Sequence, residues 1–144
     1  MERRAIVARI LRVEGFLLLV VAGIHMAAIP VLRYAFASAL PEEGFQFVFP
    51  PFLLDHIVAG ILLVPLGVST IYSASGIRQG QRWAWMIGTI NAVAVLTLPI
   101  VLVVVMDPAY FHATPFLIAS ILITLVGLSM LWPLLWARRE FPPR

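Results

Sequence analysis

Apolar residues run almost unbroken through four stretches of this chain, about 13–34, 52–72, 83–106 and 115–136, and polar residues collect in the short segments between them. A hydrocarbon layer about 30 Å thick takes about 20 helical residues at 1.5 Å each, so every stretch is long enough to cross one. Lipid offers no partner to an unpaired amide, and each stretch must therefore be a helix that satisfies its own backbone. The pattern predicts an all-α, polytopic membrane protein, a four-transmembrane-helix bundle in a single domain over residues 1–144.

Composition sharpens this reading by exclusion. With 62% hydrophobic residues, 12% charged residues and a mean hydropathy of +1.01, a chain of 144 residues has too little polar surface for a soluble fold. The absence of cysteine removes disulfides, thiolate nucleophiles, iron–sulfur ligation and dithiol chemistry. The net charge of +3 comes without a single lysine, in short arginine clusters at the ends of the apolar stretches. That arrangement fits membrane orientation and no nucleic-acid partner.

Nine of the ten arginines fall on one side. Arg3, Arg4, Arg9 and Arg12 precede helix 1, Arg78 and Arg82 lie between helices 2 and 3, and Arg138, Arg139 and Arg144 follow helix 4. Short arginine-rich loops resist translocation, so both termini are expected in the cytoplasm and the protein in the cell (inner) membrane of a bacterium, as a multi-pass chain. Glu42, Glu43 and Asp107 fall on the outer side, with Arg33 as the exception. Arg3 and Arg4 before an apolar run, with Ala37, Ser38 and Ala39 beyond it, also look like a secretory signal; the apolar run is longer than a signal core, and a retained helix is expected.

Between the stretches, residues 37–51 carry alternating Phe45, Phe47 and Phe49, which predicts an interfacial anchor or a lid over the outer mouth of the bundle. Residues 73–82 read as a plain turn with Gly76 and Gly80, and the tail from Glu140 as free. Each predicted helix has one internal proline, Pro30, Pro65, Pro99 and Pro133, at spacings of 69 (30 to 99) and 68 (65 to 133), as two duplicated hairpins would have. Each leaves the carbonyl one turn earlier without its amide partner.

Candidate chemistry lies with the ionisable groups that lipid disfavours. His25 sits about 10 Å from the outer edge of helix 1, and Asp55 with His56 about 5 Å inside the start of helix 2, from the helical rise. His112 follows helix 3. His25, Asp55 and His56 form a candidate catalytic set; His25 and His56 are candidate cofactor ligands, for haem between facing helices or for a quinone hydrogen-bonded beside an acid. With His112 they also offer the nitrogen donors that copper or zinc takes. The plainer alternatives are that His25 donates a hydrogen bond across the bundle and that Asp55 sits in the first turn of helix 2, where the helix dipole favours an anion. Glu14 reads as an interfacial ion pair with a nearby arginine, Asn91 as a hydrogen-bond donor to a neighbouring helix, and Trp83, Trp85, Trp132 and Trp136 as an inner aromatic belt.

The segment GFLLLVVAGIHMAAIP, residues 15–30, preceded by Arg12, resembles small four-helix membrane proteins of the DoxX-like type. The resemblance implies a four-helix bundle of this length, sometimes associated with quinone-linked redox systems, and transfers no functional residue. The leading expectation is an accessory or cofactor-binding subunit of a membrane complex, possible partners being other membrane subunits, a homo-oligomer and the lipid bilayer itself. The alternative is a membrane-embedded enzyme or redox protein acting on a lipophilic substrate through the His/Asp site. A small transporter ranks last, because the cytoplasmic half offers few polar side chains.

Overall fold

The computed structural model describes residues 2–105 and 114–141. They form four helices, α1 (Glu2–Ala39), α2 (Glu42–Arg78), α3 (Arg82–Val105) and α4 (Thr114–Trp136), followed by a 3-10 turn at Arg138–Glu140. All four helices are long and apolar enough to cross a membrane.

The helices α3 and α4 fall within a residue of the predicted spans, but α1 and α2 are far longer than their apolar stretches, at 38 and 37 residues. At the standard rise α1 is about 57 Å long, nearly twice the thickness of a hydrocarbon layer. Helix formation does not stop where hydrophobicity stops. Arginine, glutamate and alanine are good helix formers, and Val7, Ala8 and Leu11, at helical spacing among the first four arginines, are buried. Residues 37–51, expected as a connecting segment that anchors at the interface or forms a lid, are instead helical: 37–39 end α1 and 42–51 begin α2, with only Leu40 and Pro41 left between the helices. Pro50 and Pro51 lie inside α2 along with Pro65.

The chain packs as two compact units, Met1–Gly15 with Ser69–Arg144, and Phe16–Val68. In the first unit, α3 and α4 pack closely where glycine removes a side chain. A Cβ on Gly127 would stand 2.6 Å from Leu96 Cγ, and one on Gly88 would stand 3.4 Å from both Leu11 and Leu134. Trp85 Nε1 donates to the carbonyl oxygen of Leu134 at 2.9 Å. That carbonyl lies in the last turn of α4, where helices run out of their own donors.

The cytoplasmic end expected from the arginines is held together by Arg4. Its Nε donates to Glu140 Oε2 at 2.7 Å and its Nη2 to the Glu140 carbonyl at 3.0 Å. The guanidinium lies over the Phe141 ring, 5.5 Å from its centroid, and against Gly80, whose φ of +77° is the left-handed conformation that glycine adopts without strain. Glu140 and Phe141, expected in a free tail, are thereby pinned, and Phe141 is buried.

Candidate functional site

The second unit is a hairpin made by the later part of α1 and the earlier part of α2. Along α2, Phe45, Phe49, Phe52 and His56 are spaced by 4, 3 and 4 residues, which puts them on one helical face. The alternation of Phe45, Phe47 and Phe49 in the sequence is therefore split by the helix, and Phe47 points away, 81% exposed. From α1, Phe36 and His25 meet this stripe. Phe45 stacks on Phe49 (centroids 4.9 Å), Phe36 packs on Phe49 (5.6 Å) and on Phe52 (4.6 Å), Phe52 stacks on His56 (5.9 Å), and His56 stacks on His25 (4.4 Å). Six rings form one continuous column that ends on two imidazoles.

The structure thus brings together two of the three residues predicted as a site. The His25 and His56 rings lie 15° from parallel. His56 Nε2 donates to the backbone carbonyl oxygen of His25 at 2.7 Å; a carbonyl only accepts, so Nε2 carries the hydrogen and Nδ1 keeps its lone pair in the neutral ring. His56 thus has one nitrogen committed to the backbone and Nδ1 left for a further partner. Gly60, one turn beyond His56, makes the approach possible, since a Cβ there would stand 3.3 Å from His25 Cβ and 3.0 Å from Met26 Sδ.

The same geometry bears on the metals and haem considered above. An imidazole binds a metal along a lone pair that lies in the ring plane, at about 2.0–2.1 Å for zinc. Two stacked, nearly parallel planes do not meet within a bond length of both rings, so His25 and His56 as placed do not converge on one ion. A haem between them would have to part the stack. The residues as arranged do not fit either group, and the His56 Nδ1 lone pair fits an approaching hydrogen-bond donor. Among the described residues no three histidines or carboxylates are grouped to hold a metal. His112, the third predicted ligand, lies outside the described residues.

Asp55 is not part of the stack. Consecutive residues on a helix diverge by about 100°, so Asp55 leaves the face that carries His56, and it is exposed. The first-turn reading also fails, because α2 begins at Glu42 and Asp55 lies 13 residues further along (55 − 42). No helix N-terminus compensates its charge, and it has no ion-pair partner among the described residues.

A second polar centre, in the first unit, was not predicted as a site. Glu14 is 8% exposed, and its Oε1 lies 2.5 Å from Ser129 Oγ. The Ser129 hydroxyl is also 2.8 Å from the carbonyl of Val126. The other carboxylate oxygen, Oε2, is buried with no hydrogen-bond partner among the described residues. No arginine pairs with Glu14 among the described residues, which corrects the expected interfacial ion pair. Asn91 belongs to the same layer. Leu11, Gly88 and Leu134 meet, and one helical turn onward from each come Glu14, Asn91 and Met130 next to Ser129. Asn91 Nδ2 donates to Ser69 Oγ at 2.8 Å and to Thr70 Oγ1 at 3.0 Å, as predicted for a membrane amide. The signal for Glu14 was present in the spacing: Val7, Leu11, Glu14, Leu18 and Ala22 form one stripe, and all are buried.

Comparison with protein-family models, with curated proteins and with solved structures found no match. The chemistry available is that of its own residues: two stacked imidazoles at the base of an aromatic column, an exposed carboxylate on another face of α2, and a buried carboxylate in the other unit.

Proposed function

We propose that the protein is an accessory subunit of a complex in the inner membrane, with both termini in the cytoplasm and the surface around Asp55 covered by a partner membrane helix. The observation that carries this reading is Asp55 itself, exposed inside an apolar helix and without an ion-pair partner among the described residues. On insertion scales an aspartate costs about 2.5–3.5 kcal/mol at the centre of a membrane helix and less toward its edge. A cation or hydrogen-bond donor on a neighbouring helix offsets that cost. The resemblance of residues 15–30 to DoxX-like proteins supports a quinone-linked setting for such a complex. Extraction in a mild detergent followed by native electrophoresis tests the reading. Migration with further chains or copies is expected, and a species of one copy, with nothing bound, overturns it.

A second reading is favoured by the free imidazole nitrogen of His56. A lipophilic substrate with a polar hydrogen-bond donor can be held by His25 and His56 at the foot of the aromatic column. Loss of turnover or of bound small molecule in His25→Ala and His56→Ala, with the complex still assembled, is the expected result. Unchanged binding and turnover in both variants excludes this site.

A further inference from the structure

Arg9 and Arg12 fall, by sequence, in a charged segment ahead of helix 1, and the structure places them within α1 on the side that faces away from the bundle. Three residues apart, they share a face about 60° wide. Arg9 is two residues from Val7 and two from Leu11, which puts it about 160° round the helix from each of these buried side chains. Both arginines are exposed. The two acids of α1 are Glu2, two turns before Arg9, and Glu14, which turns inward to Ser129. No carboxylate of α1 therefore stands within a turn of the pair on that face, and two like charges in neighbouring positions of a helix repel.

The packing of the first unit sets their depth. Leu11 lies against Gly88, five residues inside Trp83 (88 − 83), and Glu14 against Ser129, seven residues inside Trp136 (136 − 129). At the helical rise these spans are about 7.5 and 10 Å. Trp83 and Trp136 are among the aromatic residues expected at the inner interface. Arg12, between Leu11 and Glu14, thus has its backbone about 5–10 Å to the apolar side of them, and Arg9 is one turn nearer the surface. Helical side chains lean toward the N-terminus, here toward that surface, which carries both guanidinium groups back to the headgroup level while their stems stay in the apolar layer.

We infer that Arg9 and Arg12 together bind the phosphate of an anionic phospholipid, one lipid held against α1 at this interface. A guanidinium presents paired, planar donors that match phosphate oxygens, and a phosphate between the two arginines offsets their mutual repulsion. A headgroup of net negative charge is favoured over a zwitterionic one, whose own ammonium competes for the phosphate. Val13, next along the helix and exposed, offers apolar contact to the acyl chains. The leaflet, the cytoplasmic one, rests on the topology proposed above; the site itself depends on the depth and the face of the two arginines.

Native mass spectrometry of the purified protein in detergent, with phosphatidylglycerol and phosphatidylcholine of the same acyl chains added in equal amounts, tests this. The unaltered chain is expected to retain phosphatidylglycerol in preference. Arg9→Gln with Arg12→Gln is expected to lower that retention by about tenfold or more. Arg138→Gln with Arg139→Gln removes the same charge from the same arginine-rich end and is expected to leave most of it. Equal retention of the two lipids by the unaltered chain overturns the inference, and so does an equal loss from the two double variants, which would reduce the effect to net charge. Where the first double variant fails to accumulate, Arg12→Gln alone is used, and undiminished preference in it overturns the site equally. An acidic chain that co-purifies and is lost in the same variants, without any lipid preference, assigns the face to protein and also overturns it. Detergent removes sidedness, so this result stands apart from the reading above. Reporters that place the termini outside shift the lipid to the other leaflet and leave the site, whereas loss of the preference leaves the accessory role standing.

Discussion

His56 and His25 are joined twice, by rings stacked 4.4 Å apart and by a hydrogen bond of 2.7 Å from His56 Nε2 to the carbonyl oxygen of His25. The two contacts separate under substitution. His56→Phe keeps a flat ring and loses the hydrogen bond, at a cost of about 0.5–1.5 kcal/mol. His56→Ala loses the ring as well, with a further cost of about 0.5–1.5 kcal/mol for the aromatic contact. Unfolding in mixed micelles is expected to rank Ala below Phe below the unaltered chain, and nitrogen NMR of the histidine ring to place the His56 hydrogen on Nε2. A hydrogen on Nδ1 instead contradicts the bond.

Glu14 and Ser129 are predicted to be coupled. Ser129→Ala leaves both carboxylate oxygens of Glu14 buried without a side-chain donor, and a cost of about 1–3 kcal/mol is expected. Replacing both partners by apolar side chains in Glu14→Met with Ser129→Ala removes the orphaned oxygens, and stability near or above the unaltered level is expected. A double-mutant cycle from unfolding midpoints reads the coupling, and simple additivity would show that the contact contributes nothing.

Two glycines in the long apolar helices are predicted to respond with opposite signs. Around Gly127 a Cβ would meet Leu96 Cγ at 2.6 Å and the Leu96 backbone nitrogen at 3.2 Å, so Gly127→Ala forces α3 and α4 apart. Overpacking of this kind costs about 1–3 kcal/mol. Gly23 has nothing within 4 Å, and Gly23→Ala gains helix propensity of up to about 1 kcal/mol. Equal effects of the two substitutions in a thermal unfolding assay would contradict the packing described.

At the arginine-rich end, Arg4 and Glu140 are 32% and 21% exposed, so solvent screens the pair. Arg4→Ala is expected to cost no more than about 1 kcal/mol, and less in high salt. Gly80→Ala is expected to cost more, because the left-handed conformation disfavours a side chain by about 1–2 kcal/mol and the Arg4 guanidinium occupies the space. A larger loss from Arg4→Ala than from Gly80→Ala reverses this order and rejects the account.

Topology is open to a direct check. Reporters that work only in the cytoplasm, fused before residue 1 or after residue 144, are expected to be active at both ends. Activity at one end only would require an odd number of crossings.

How much of this was legible in the sequence varies with the kind of interaction. Four spans follow from composition and length because lipid imposes one solution on the backbone, and α3 and α4 lie where hydropathy put them. Hydropathy could not find the ends of α1 and α2, since it reports transfer to lipid and says nothing about helices that continue through arginine or through Phe45–Pro51. Periodicity, applied to residues 42–56, would have found the aromatic face; the alternation of Phe45, Phe47 and Phe49 hid it.

By itself, the sequence determined the helical class, the four apolar spans and the asymmetry of arginine, all of which follow from the chemistry of single residues against a bilayer. It also placed His25 and His56 in the outer half of their apolar spans. Only the tertiary structure decided that they stack, that Asp55 turns outward, and that Glu14 turns inward to Ser129. The physical reason is rotation. A helix in lipid fixes the depth of a residue through its rise, but the direction of each side chain is set by packing against other helices, and one sequence does not state it.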